Sequence, residues 1–174
     1  MINTKFKKIY ELSNELQEKY YKEDYERLSK IEKDIGTFEE YVKNEKKESN
    51  RVIPDDRKKQ IEDAYILKDS ITKEDIVFSL YLVHFLHTEP IEFDENYKPL
   101  PLKEKEIFEY GAVVSTTDET GYYSISGVFG GVENDDHIAQ DKYNVLKSRI
   151  ENTSLDELLD EIENSILEQI NDKK

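Results

Sequence analysis

Residues 73–87 read KEDIVFSLYLVHFLH, and the fold turns on whether this run is a helix or a strand. At helical pitch its apolar side chains fall on nearly every side, the pattern of a helix at the centre of a domain. Thr72, followed three residues later by Asp75, offers an N-terminal cap. Periodicity alone leaves a buried strand open as the alternative, but cap and length favour the helix. A central helix over 73–88 is therefore expected.

Upstream, residues 4–35 read as one long helix, with Phe6, Ile9, Leu12, Leu16, Tyr20, Leu28, Ile31 and Ile35 at helical spacing. Gly36 stands where a left-handed cap would end it, and Thr37 with Glu40 makes a capping box for a short polar helix. The segment SNRVIP breaks the chain. Pro54 and the acids Asp55 and Asp56 then open a helix expected to reach about Lys68.

Downstream, residues 89–102 contain three of the four prolines and read as an irregular crossing, in which IEF could add a short edge strand. The apolar period then drops to two. Phe108, Tyr110, Ala112 and Val114 share one face, as do Tyr123, Ile125 and Phe129, while Tyr122, Ser124, Ser126 and Val128 take the opposite one. A loop over 117–121 joins the two runs into a hairpin spanning 107–129. Helix returns near Asp136, with Asp135 or Asp136 as N-cap and Ile138, Val145, Leu146 and Ile150 as the expected inner face. Ser154 and Glu157 box the start of an amphipathic helix over 155–171.

The expected fold is α+β: a mostly helical single domain whose antiparallel hairpin, with room for a third strand, packs on the central helix. Residues 1–48, a long helix plus a short one, could stand as an extension to a main α+β domain at 49–174.

Four of the six glycines fall in GYYSISGVFGG, 121–131, which raises the question of a phosphate cradle. A P-loop requires a lysine followed by Ser or Thr, and this stretch has no lysine or arginine. A dinucleotide fingerprint is also missing its spacing. The glycines fit a twisted hairpin instead: Gly121 at the turn, Gly127 at a bulge or a close approach to the backbone, Gly130 and Gly131 at the exit from the sheet.

Composition narrows the chemistry further. The chain has no cysteine, so disulfides, thiolate metal sites and a cysteine nucleophile are excluded. Its N-terminus shows no apolar signal-peptide core and its longest apolar run is too short to cross a bilayer, so a cytoplasmic protein is expected. Net charge is −15, with the acid excess heaviest over 151–174. Such a field disfavours nucleic acid and anionic membranes and attracts a basic partner.

Few residues suggest catalysis. On a helix His84 and His87 would lie near one face and, with His137 or a nearby carboxylate, could hold a metal. They lack the spacing and glutamate of a zinc protease. Glu133-Asn134-Asp135-Asp136 has no EF-hand spacing, and no nucleophile elbow occurs. No cofactor is expected. The reading is a small acidic protein that binds and blocks another protein, such as a toxin-neutralising immunity protein or a phage antagonist of host defence. Its expected contact residues are Asp118, Glu119, Tyr122, Ser124, Glu133, Asp135, Asp136, Asp156 and Asp160. Two alternatives are a metal-dependent enzyme built on His84 and His87, and a scaffold that oligomerises through the N-terminal helix.

Overall fold

The computed structural model describes residues 3–49 and 54–172. The chain order is α1 (Thr4–Ser29), α2 (Phe38–Ser49), α3 (Asp55–Ala64), β1 (Tyr65–Lys73), β2 (Ile76–Thr88), β3 (Glu104–Asp118), β4 (Gly121–Glu133), α4 (Asp136–Asn152) and α5 (Leu155–Asn171). The four strands form one antiparallel sheet in sequence order. The α+β class read from the sequence holds, and its hairpin is β3–β4. The break expected at SNRVIP lies, for residues 50–53, outside the described residues. Contacts group the chain into two compact units, Met1–Lys58 with Asp156–Lys174, and Lys59–Leu155.

The expected central helix is not present: residues 76–88 are strand β2. Ile76, Phe78, Leu80 and Leu82 are buried while Val77, Ser79, Tyr81 and Val83 are less so, a strict period of two. The preceding residues explain it. The helix expected to reach Lys68 ends at Ala64, and from Tyr65 burial alternates through Ile71, giving β1. Lys73 pairs with Ile76, so Glu74 and Asp75 form a two-residue turn rather than a helix cap. Glu74 takes φ +55, a conformation usually left to glycine or asparagine. Once β1 lies beside residues 76–83, pairing and the β-branched and aromatic content of the run outweigh a local cap signal.

In this unit α4 covers one face of the sheet through Ala139, Tyr143, Leu146 and Ile150. The expected inner face was rotated: Ile138 and Val145 are exposed. The rotation brings the Tyr143 hydroxyl to 2.5 Å from Asp69 Oδ2 on β1, while Lys147 Nζ lies 3.1 Å from Asp69 Oδ1. The Tyr143 bond, with Lys147 second, holds the Asp69 carboxyl below the usual carboxylate range; burial and Asp69 push the Tyr143 hydroxyl up. Lys73 Nζ closes the far end of α4 by donating to Glu151 O (3.2 Å) and Thr153 O (2.8 Å).

The β3–β4 junction is tighter than the expected five-residue loop, since Asp118 pairs with Gly121 across Glu119 and Thr120. The expected bulge is present. Register shifts between Ala112 and Val114, and Gly127 opposite them takes φ +79. Gly130 and Gly131, expected at the exit from the sheet, instead pair with Gly111 and Tyr110 inside β4, which runs past 129 to Glu133. Gly130, at φ +123, is required there because a β-carbon would fall 2.0 Å from Tyr110 O.

Residues 89–103, expected to cross irregularly, form a hydrogen-bonded finger between β2 and β3. Amides of Glu89, Asp94 and Leu100 donate to the carbonyls of Lys103 (2.9 Å), Lys98 (2.9 Å) and Glu92 (2.8 Å). IEF adds no strand; Phe93 makes an isolated bridge to Pro99.

In the other unit α1 stops at Ser29, short of the expected Ile35, where Leu28 O accepts from the amides of both Ile31 and Glu32. The capping box that opens α2 is present: Thr37 N donates to Glu40 Oε2 (2.9 Å) and Glu40 N to Thr37 Oγ1 (3.2 Å). Tyr25 holds α2 to α1, with its ring 5.5 Å from Phe38 and 5.7 Å from Tyr41. Helices α1 and α5 run parallel, since Lys5 meets Asp156 and Asp160, Lys8 meets Glu163, and Lys19 and Tyr20 meet Gln169. Lys19 Nζ donates to Gln169 O (2.7 Å) and Asp172 O (2.8 Å), placing a cation at the negative end of a helix with no basic residue in its last turn.

Two measurements check this account. Glu74→Gly removes the left-handed strain and should stabilise the protein by about 1 kcal/mol, raising Tm by roughly 2–4 °C. Tyr143→Phe should cost about 1–2 kcal/mol at pH 7 in chemical denaturation. Because the folded Asp69 carboxyl sits below its unfolded value near 3.9, this contribution is complete above that value. The gap between wild type and Tyr143→Phe should shrink as pH falls through the folded value.

Candidate functional site

The side chains expected to form a binding surface fall in three places. Asp118, Glu119, Tyr122 and Ser124 cluster at the β3–β4 turn. Glu133, Asp135 and Asp136 lie at the other end of β4, roughly 30 Å or more away by strand rise. Asp156 and Asp160 belong to α5, in the other unit.

Most of these acids already hold local structure. Asp118 Oδ1 accepts from Thr120 N (2.8 Å), Thr120 Oγ1 (2.5 Å) and Gly121 N (3.2 Å), and the Thr120 hydroxyl bond leads in holding its carboxyl below the usual range. Thr120 Oγ1 in turn bonds the Tyr123 hydroxyl. Asp135 caps α4 through Ile138 N at 3.0 Å, as expected, and Asp136 Oδ1 accepts from Gln140 Nε2 at 2.9 Å. Glu133 pairs with Lys142. Asp156 and Asp160 share Lys5, at 2.7 and 2.5 Å. Glu119, Tyr122 and Ser124 are exposed, Tyr122 by 65%.

The metal alternative assumed a helix. On a strand, residues three apart point to opposite faces, so His84 and His87 do not converge. His84 stacks on Phe108 with ring centroids 4.6 Å apart, and its Nε2 lies 3.6 Å from Glu106 Oε1. That Nε2 is buried without a hydrogen-bond partner. His87 and His137 are exposed. Among the described residues, no three His, Asp or Glu side chains are grouped to hold a metal ion.

The sequence reading passed over the finger. Ile91, Phe93, Tyr97 and Leu102 are exposed there, and Leu86 is exposed at its base. The signal was present: large apolar residues among prolines, in a segment with no period that would assign them to a core.

Comparison with protein-family models, with curated proteins and with solved structures found no match. Among the described residues, no helix is long and apolar enough to cross a membrane.

The turn geometry has a direct test. Asp118→Ala should speed amide exchange at Thr120 and Gly121 and leave exchange in the paired centre of β3 unchanged. In the wild type the same two amides should lose protection as pH falls through the lowered Asp118 value, because the stabilising form is the carboxylate.

Proposed function

We propose that this protein is a non-catalytic, cytoplasmic binding protein that captures another protein with a basic surface and blocks it sterically. A toxin-neutralising immunity protein and a phage antagonist of a host defence protein are the two settings that fit a small acidic chain of this kind. One observation carries the reading: aromatic and aliphatic side chains are held outward on hydrogen-bonded β-structure in a chain of net charge −15. Exposed apolar side chains scattered singly are ordinary, whereas groups of them on an ordered support are a feature of contact surfaces.

The two properties divide the work. The acidic field speeds encounter with a cationic partner and disfavours nucleic acid and anionic membrane. Desolvated aromatic residues then supply most of the affinity. At the β3–β4 turn, Tyr122 beside Glu119 and Ser124 has the composition of such a contact. The reading calls for no cofactor.

Affinity capture from native lysate at low and high salt tests it. A specific protein should co-purify, and the association rate measured with it should fall as salt rises. Glu119→Lys should slow association several-fold at low salt and leave dissociation little changed. A chain that stays alone at both salt levels overturns the proposal.

A further inference from the structure

The finger at 89–103 concentrates exposed apolar surface, and its construction is that of a rigid probe. Three amide–carbonyl bonds run across it, at 89–103, 92–100 and 94–98. At the tip, Asp94 Oδ1 accepts from Asn96 N (2.8 Å) and Lys98 N (3.0 Å), and Asp94 O accepts from Tyr97 N (3.0 Å). This bracket holds Tyr97 at φ +58 with 87% of its surface exposed. Left-handed backbone is costly for a side chain with a β-carbon, and glycine or asparagine takes it more readily. Strain and exposure of an aromatic ring at one position suit a residue held ready for contact. Further along the finger, Phe93, 59% exposed, and Ile91, 57% exposed, share one face of its ladder, and Leu102 lies on the other.

We propose that the finger is the anchor of the binding surface: Tyr97, backed by Phe93 and Ile91, inserts into an apolar cleft on a partner protein whose rim carries lysine or arginine. Charge selects this occupant. The finger carries Glu89, Glu92, Asp94 and Glu95 against Lys98 and Lys103, and Lys103 is spent on Glu92 at 3.4 Å. A second copy of this chain would bring another −15 to the contact, and an anionic bilayer would repel the tip. A cationic rim complements Glu95 and the tip acids, while the cleft removes the ring from water. This rests on the protein-binding reading and adds the anchor and the partner's chemistry.

The test places a photo-crosslinking phenylalanine at position 97 or, separately, at 122 of the full chain in its native cells. Position 97 should join one protein, through a peptide lining an apolar cleft bordered by Lys or Arg. With that protein purified, Tyr97→Ala should weaken binding on the order of 30-fold. Tyr97→Asn, which suits the left-handed backbone but lacks the ring, should weaken it equally. Glu95→Lys should slow association, and Val145→Ala on exposed α4 should stay within about twofold.

Several results would overturn the proposal. One is a crosslink from position 97 to another copy of this chain, with a dimer that Tyr97→Ala abolishes. Others are co-sedimentation of the chain with phosphatidylcholine–phosphatidylglycerol vesicles, and full affinity in Tyr97→Asn. Capture from position 122 but not 97 would remove the finger and leave the protein-binding reading standing; capture from neither would remove both.

Discussion

The sheet depends on the pairing of residues 65–73 with 76–83 across Glu74 and Asp75. That pairing commits the most apolar run of the chain to an extended conformation. It thereby directs Ile76, Phe78, Leu80 and Leu82 to one face and gives α4 a surface to cover. β3 pairs with the extended β2, and β4 with β3. Asp69 belongs to the same constraint: its position in β1 supplies the one carboxylate that Tyr143 and Lys147 meet from α4. Helix and sheet are thus fixed by apolar burial and by a polar contact that specifies rotation about the helix axis, consistent with α4 presenting Ala139 and Tyr143 in place of Ile138 and Val145.

Local chemistry made part of this legible in the sequence. The box at Thr37 and Glu40, the cap at Asp135, the bulge at Gly127 and the buried stripe of α5 each depend on residues a few positions apart, and the structure has all of them. The β1–β2 hairpin was not legible because its turn, Glu74-Asp75, has no glycine, asparagine or proline. A glutamate carries the positive φ, and Thr72-x-x-Asp75 imitates a helix start. The four residues of the imitation do not distinguish it from a real cap; the alternation of the preceding strand does.

The candidate site was legible to a similar degree and for related reasons. Alternation put Tyr122 and Ser124 on one face but could not say that this face is the exposed one, nor that most of the nearby acids are occupied by caps, turns and lysines. Charge counts see carboxylates, not their partners. The finger escaped because its order comes from amide–carbonyl bonds and from Asp94, which leave no periodic trace, and because Tyr97 adopts a backbone seldom assigned to tyrosine.

The parallel pairing of α1 with α5 affects how the chain is made. One compact unit is built from the first and last parts of the sequence, with the whole sheet encoded between them. During synthesis α1 emerges before the whole sheet and has no α5 beside it until β1 to β4 and α4 have been made. The sheet unit can fold meanwhile, using contacts already available to it. The nascent helix therefore waits as an uncovered amphipathic segment while the sheet is made, the state in which chaperones find their clients.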